Sequence, residues 1–385
     1  MERSSADAAR ALASGFATCS GDAYEMGDVI GVGGFGRCVV VLLATTLSTR
    51  PLVAYRRRVP ARRPAPRLTL ASSLVASSSR SVRACRRRDD AGASPRPLAV
   101  KAVRLAPSPR DPRSAGAESS SAGPRPPTRA ERLAAEIDAL RRIASAASDT
   151  PRARLFPVLV DVFLLDDVAH LVLTRLAATD RDLRRVLDAS PDRRLPESRA
   201  RRYAAQIALA LDLIHRAAKL AYLDLKPENV LVDDRDEPGR VAVCDFDLAR
   251  PVPDAADADT PATPPPSLVV AVVGTEEYLA PETIDGERPG PAADWWAFAV
   301  LLYEMTHGDT PFRSRFGFRE RTFELIRRAP VAFPKTSDGE HVTSDACRRL
   351  IVAMTRRPGG PDVRLGGKEG LREISSAPFW DGVDW

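Results

Sequence analysis

The segment Tyr222-Leu-Asp224-Leu-Lys226-Pro-Glu228-Asn229-Val-Leu places a carboxylate, an ammonium and a carboxamide close together in sequence. In such a stretch Asp224 can accept a proton from a hydroxyl group. Lys226 can neutralise a moving phosphoryl group, and Asn229 can ligate a divalent cation through oxygen. A solvated turn can hold Asp, Lys and Asn by chance. Sixteen residues after Asn229, however, the apolar run ending at Val243-Cys244 delivers a second carboxylate in Asp245-Phe246-Asp247. Hard oxygen ligands at Asn229 and Asp245 suit magnesium bridging phosphates.

Further upstream, Gly31-Val32-Gly33-Gly34-Phe35-Gly36 lies between two β-branched runs. Glycines let backbone N–H groups approach phosphate oxygens with no Cβ in the way. Taken alone the pattern reads equally well as a tight hairpin. A dinucleotide site is disfavoured because the glycines do not open a helix. Lys101 ends the apolar stretch Leu98-Ala99-Val100. It gains meaning if an acid on the following helix holds its ammonium on nucleotide phosphates. Glu131 and Glu136 are the candidates. Glu136 is preferred because Leu140, one turn on, should face inward. Gly274-Thr275-Glu-Glu-Tyr-Leu-Ala-Pro281-Glu282, Asp294-Trp-Trp and Arg364 complete the set.

The elements needed to position these residues follow from periodicity. A strand is expected from Tyr24 to the glycine turn, and a second from about Cys38 to Leu43. A third covers Leu98–Val103. Apolar residues Leu133, Ile137 and Leu140 predict a helix over Arg129–Ile143. Strands are expected at Val158–Leu165 and His170–Thr174. Helices are expected at Glu197–His215, Ala292–Met305, Phe318–Arg328 and Ser344–Thr355. Residues 1–23 read as a polar leader. Residues 48–96 and 106–128, rich in Arg, Ser, Ala and Pro, read as disordered insertions.

With these motifs in this order, the chain resembles the eukaryotic protein kinases. Within them it resembles the AGC group, nearest in pattern to the plant phototropin-like branch. Tyr222 in place of the usual His, Asp245-Phe246-Asp247, the Gly274–Glu282 run and Asp294-Trp-Trp-Ala carry that placement. The resemblance covers residues 24–385 apart from the two insertions. It implies an α+β, bilobal fold: a small β-rich N-lobe with one helix (24–175), then a larger, mainly α-helical C-lobe (176–385). It further implies ATP in the cleft. Ile30, Gly31, Val32, Gly33, Gly34, Phe35 and Gly36 would cover the nucleotide, with Cys38 roofing the adenine where a Val is usual. Ala99 and Leu231 would sandwich the base, with Leu173 as gatekeeper and residues 174–176 as hinge. Lys101 and Glu136 would serve the phosphates. Asn229 and Asp245 would hold Mg2+, and Thr275 would brace the catalytic Asp224 and Lys226. Glu282 would pair with Arg364, and Asp294 would support the catalytic loop. The activity implied is transfer of the γ-phosphate of Mg-ATP to Ser/Thr hydroxyls of protein substrates. Glu228 matches the position that reads a substrate arginine in basophilic relatives, so basic contexts are expected.

Three departures from the family pattern set further expectations. Leu223 replaces the Arg that normally precedes the catalytic Asp, and Ala271 stands where relatives carry a phosphorylated Ser or Thr. Phosphate ordering needs an arginine acceptor, so the chain is expected not to require phosphorylation there. The sequence stops at Trp385, where AGC kinases begin a regulatory tail that steadies the Glu-bearing helix, so that helix is expected either to be held otherwise or to be held by a trans-acting partner that supplies the aromatic residues. The insertion at 48–96 is open to three readings: a mobile loop, a basic docking segment or a translated intron.

The net charge of +6 is local in origin. Residues 50–97 hold 13 Arg and two Asp, a charge of +11, leaving −5 elsewhere. The basic pI is therefore weak ground for nucleic-acid binding by the folded body, and no such binding is expected. Five scattered cysteines lack metal-ligand spacing and fit a reducing compartment, the cytoplasm or nucleus. No apolar run is long enough to span a bilayer. Two other functional classes remain. One is a pseudokinase scaffold that binds nucleotide without transferring phosphate. The other is a tether to RNA or anionic membrane through the arginine-rich segment.

Overall fold

The structure, a computed structural model, describes residues 24–33, 80–87, 98–105, 129–165, 168–175, 181–235, 239–252, 276–314, 316–357 and 360–385; for the first two segments it describes the backbone. Five antiparallel strands form the N-terminal sheet: β1 (Tyr24–Gly33), β2 (Arg80–Arg87), β3 (Leu98–Arg104), β4 (Leu159–Leu165) and β5 (Val168–Thr174), in the order β1-β2-β3-β5-β4. One face collects Leu98, Val100, Phe163 and Val172. The other receives α1 (Arg129–Ala147), whose Leu133, Ile137, Leu140 and Ile143 recur at helical spacing and are buried. Glu136 lies in that same buried stripe.

One expectation is corrected here. The strand between β1 and β3 is Arg80–Arg87, placed above within an unstructured insertion. Its arginines hid it, since runs of like charge read as solvated chain. Yet Ser81, Val82, Ala84 and Cys85 allow a pleated strand to pair locally with β3, Val82 opposite Lys101 and Ala84 opposite Ala99. The expected strand near Cys38–Leu43 lies outside the described residues, as does the second insertion at 106–128.

The C-terminal part is mainly helical. Short strands β6 (Arg181–Asp182), β7 (Leu220–Ala221), β8 (Val230–Asp233), β9 (Arg240–Val243) and β10 (Arg250–Pro251) form a three-stranded sheet, β6-β8-β9, and a β10-β7 pair. The helices are α2 (Leu183–Asp188), α3 (Glu197–Asp212), α4 (Pro281–Ile284), α5 (Pro291–His307), α6 (Arg319–Arg328), α7 (Asp345–Met354) and α8 (Leu371–Ile374). α5 is buried on every side from Ala293 to Thr306, which explains why it is apolar all round. The alanine-rich face of α3 lets the two backbones approach closely. Gly308 ends α5 at φ 84°, and a Cβ there would meet the Asp192 carbonyl oxygen at 2.2 Å. The expected helix over 197–215 ends as α-helix at Asp212 and runs on through one π turn, Leu213–Ala217. That turn carries His215 into the core.

Candidate active site

Lys101 reaches the interior because β3 is paired on both edges, with Val82 on one side and Leu171 on the other. Its Nζ donates to Glu136 Oε1 at 2.5 Å and to Asp245 Oδ1 at 2.7 Å. One ammonium thus ties the sheet, α1 and the loop after β9 together across 144 residues of chain. Of the two acids considered on the helix, Glu136 is the one that arrives: it is buried, and Glu131 is exposed.

The segment carrying Asp224, Lys226 and Asn229 leaves β7 and passes through Tyr222. Asp294, at the start of α5 and 1% exposed, accepts from the Tyr222 and Leu223 backbone N–H groups at 2.7 Å each. It also meets His215 Nε2 at 2.7 Å. These bonds hold Leu223 at φ 66°, a left-handed conformation that a bulky residue adopts only when its surroundings impose it. Leu223 itself packs against the hydrophobic core. Asp245 is also left-handed, at φ 61°. Tyr222 donates its phenol to the Cys244 carbonyl at 2.5 Å and packs edge-on against Phe246, which joins the two acidic segments.

Asp224 is buried and near enough to Asp245 to feel its charge. Lys226 Nζ lies 2.7 Å from both of its carboxylate oxygens. Asn229 Nδ2 donates to its backbone oxygen at 2.8 Å and to Oδ2 at 2.7 Å. Burial pushes the Asp224 carboxyl up to about 7; Lys226 opposes that rise, and Asp245 and Asp247 add to it. Because Asn229 spends its amide hydrogens on Asp224, the group it offers a cation is its carbonyl oxygen. The Asp245 side chain is one-third exposed. Two hard oxygens beside an open cleft fit a divalent ion that takes its remaining ligands from phosphates and water.

The other expected residues divide into two groups. Ala99 lies two residues before Lys101 on β3, opposite Leu173, and so on the Lys101 face of the sheet. Leu231 is partly exposed between buried Val230 and Val232 on β8. Ile30, Gly31, Val32 and Gly33 form the end of β1, paired with β2, where Gly31 opposes Val82. Gly34, Phe35, Gly36, Cys38, Ala271 and Thr275 lie outside the described residues. The β2 residue that registers with Lys101 is Val82.

The structure adds a cluster that sequence reasoning missed. Arg184 on α2 donates through Nε to Glu228 Oε1 at 3.0 Å and through Nη1 to Glu304 Oε1 at 2.6 Å. Tyr278 bonds the other oxygen of Glu304. Glu228, expected to read substrate, is already engaged by a guanidinium of its own chain. No spacing signal links residues 184, 228, 278 and 304. Farther off, Arg364 and Glu282 form a buried two-pronged pair at 2.9 Å per contact. Among the described residues, no helix is long and apolar enough to cross a membrane.

A strand-rich N-terminal part and a mainly helical C-terminal part thus bring these side chains together, and comparison with known proteins names the class. The protein kinase domain family matches residues 154–373, and the chain belongs to it. Such domains use ATP and a divalent metal ion. The chain is 38% identical over 217 residues to Phototropin-1A of Oryza sativa subsp. japonica, covering 52% of this chain and 22% of that protein. It is 31% identical over 266 residues to serine/threonine-protein kinase WAG1 of Arabidopsis thaliana, covering 60% and 53%. Ribosomal protein S6 kinase alpha-2 of Homo sapiens is 37% identical over 184 residues, covering 48% and 22%. The matches thus span about a fifth to a half of these relatives' lengths. They agree with the AGC placement that the motifs carry.

Proposed function

We propose that the chain is a serine/threonine protein kinase that transfers the γ-phosphate of Mg-ATP to protein hydroxyls. The observation that carries this reading is the Lys101 ammonium held between Glu136 and Asp245, opposite Asp224, Lys226 and Asn229. In this reading Lys101, fixed by Glu136, holds the α- and β-phosphates, and Asn229 and Asp245 provide oxygens for Mg2+. An ion held there would supply positive charge to offset that of the phosphates. Asp224 orients the substrate hydroxyl and takes its proton, while Lys226, beside it, neutralises the group in transit. Gly31 and Gly33, with the glycines that follow, would cover the nucleotide. The pseudokinase alternative requires these six ionic and amide side chains to converge without use, and nothing in the cleft favours it. The reading is tested by incorporation of label from γ-labelled ATP into a basic peptide, wild type against Asp224→Ala. Equal incorporation by the two proteins, or none by either, would count against it.

Asp224 must lose its proton to act as a base, and its carboxyl is raised to about 7. Activity is therefore expected to climb between pH 6 and pH 8, as the ionised fraction grows. A profile flat across that range would take proton removal by Asp224 out of the rate equation.

Leu223 packs on the core, where family members present an arginine to a phosphorylated residue. Phosphatase-treated protein is accordingly expected to keep its activity. Glu228 supports a preference for basic residues near the acceptor, with one complication: Arg184 shares it. Glu228→Gln is expected to raise KM for an arginine-containing peptide by about tenfold, the scale of one charge-assisted hydrogen bond, with kcat little changed. Equal KM values for the two proteins would remove Glu228 from substrate recognition.

A further inference from the structure

Arg357, three residues beyond α7, is half-buried in surroundings that leave its charge unanswered. Its Cζ lies 5.1 Å from the centre of the Trp296 ring and 4.9 Å from that of Phe312. Those two rings are themselves stacked, 5.5 Å apart and 18° from parallel. Their faces hold the guanidinium in place. Nε donates to the Ile326 carbonyl in the last turn of α6, so one of five N–H donors serves as a helix cap. Nη2 is enclosed and has no partner. Nη1, which is not enclosed, makes no hydrogen bond among the described residues either.

No carboxylate pairs with Arg357 among the described residues. The charge that acts on it is another cation, Arg364, whose Cζ lies 5.0 Å from the same Trp296 ring. Both oxygens of Glu282 are already spent on Arg364, at 2.9 Å each, so a single carboxylate stands against two guanidinium groups. Burial, with Arg364 adding to it, pulls the Arg357 guanidinium down to about 10. The Ile326 carbonyl, at a helix C-terminus, supplies only a partial negative charge. Charges this enclosed are ordinarily paired, and here the partner is missing from the chain itself.

Two further arginines adjoin it. Arg356 precedes Arg357, and Arg328 ends α6 two residues after Ile326. Both are exposed, and neither pairs with an acid among the described residues. Arg327 differs, because Asp285 accepts from it at 2.6 Å. The end of α6 and the chain after α7 thus collect three unmatched guanidinium groups. A carboxylate would offset one of these charges. A phosphate group carries close to two at neutral pH and offers more acceptor oxygens, which suit guanidinium donors. We propose that Arg357, with Arg328 and Arg356, forms a binding site for a phosphate group, either free phosphate or the phosphoryl group of a modified Ser or Thr side chain. The site uses no side chain of the Lys101–Asp224 cleft and does not depend on the kinase reading.

Binding can be read through intrinsic tryptophan fluorescence, because a bound anion changes the charge standing over Trp296. Wild type, Arg357→Met and the double variant Arg328→Ala/Arg356→Ala are titrated with sodium phosphate and, at matched ionic strength, with sodium chloride. A dye-labelled serine peptide and its phosphoserine form are titrated beside them by anisotropy. The expected result is a saturable response to phosphate, absent with chloride and weakened at least tenfold in both variants. A response to the free ion alone assigns the site to free phosphate. Binding of the phosphoserine peptide at least tenfold tighter than its unmodified form assigns it to a modified polypeptide, and either result upholds the site. The double variant changes exposed residues only, so it decides the matter even if Arg357→Met fails to fold. Binding of neither ligand overturns the proposal. So does a chloride response equal to that of phosphate, or binding that persists undiminished in the double variant.

Discussion

Asp224→Asn is expected to lower phosphate transfer to a peptide by roughly 10²–10⁴-fold, the range attributed to a positioned general base, or about 2.7–5.5 kcal/mol of barrier. The substitution keeps the side chain's size, so the bonds from Lys226 and Asn229 retain at least one oxygen acceptor. The amide cannot take the hydroxyl proton, and it no longer neutralises the Lys226 ammonium. In the reading proposed above, nucleotide affinity depends instead on Lys101 and Asp245, and it should change less than tenfold. Fluorescent-nucleotide titration beside a peptide assay separates the two effects. Retention of more than a tenth of wild-type turnover would remove Asp224 from proton transfer.

The second large effect concerns stability. Arg364→Ala is expected to cost about 3–5 kcal/mol, because it leaves the Glu282 carboxylate buried without its partner. Arg364 is 2% exposed; besides two bonds to Glu282, it donates to the Ala292 carbonyl at 2.8 Å and lies 5.0 Å over the Trp296 ring. For a folded unit of this size that cost corresponds to a fall in Tm of roughly 6–20 °C. Replacing both partners, Glu282→Leu with Arg364→Met, should cost less than Arg364→Ala alone, since no charge is stranded. Thermal unfolding of the three proteins decides it. A single variant melting within 2 °C of wild type would mean that the carboxylate finds water.

The candidate chemical groups were legible in the sequence because they are carried by short segments. Asp224, Lys226 and Asn229 sit on one loop, and Asp245 ends a strand. The roles proposed for them rest on residue type and a spacing of less than two dozen positions. The helices were equally readable, since a 3.6-residue apolar repeat is a local property: α1 and α5 through α7 lie within a few residues of expectation. Glu136 could be preferred over Glu131 for the same reason, because it shares a face with Leu133 and Leu140.

What the chain order concealed was partnership over distance. The strand Arg80–Arg87 looked like solvated basic sequence until its pairing with β3 supplied the hydrogen bonds that make a strand worthwhile. Arg184 read as one charge among many on a helix surface. Only packing of α2 against the catalytic loop and α5 brings it between Glu228 and Glu304. Likewise, nothing local marks His215 or Asp294 as a pair, and their bond exists because a π turn at the end of α3 meets the first turn of α5. Residue type determines which groups can perform phosphate transfer. Which of them are buried, paired and aimed at one another is decided by contacts between segments far apart in the chain, and these form only when the core closes.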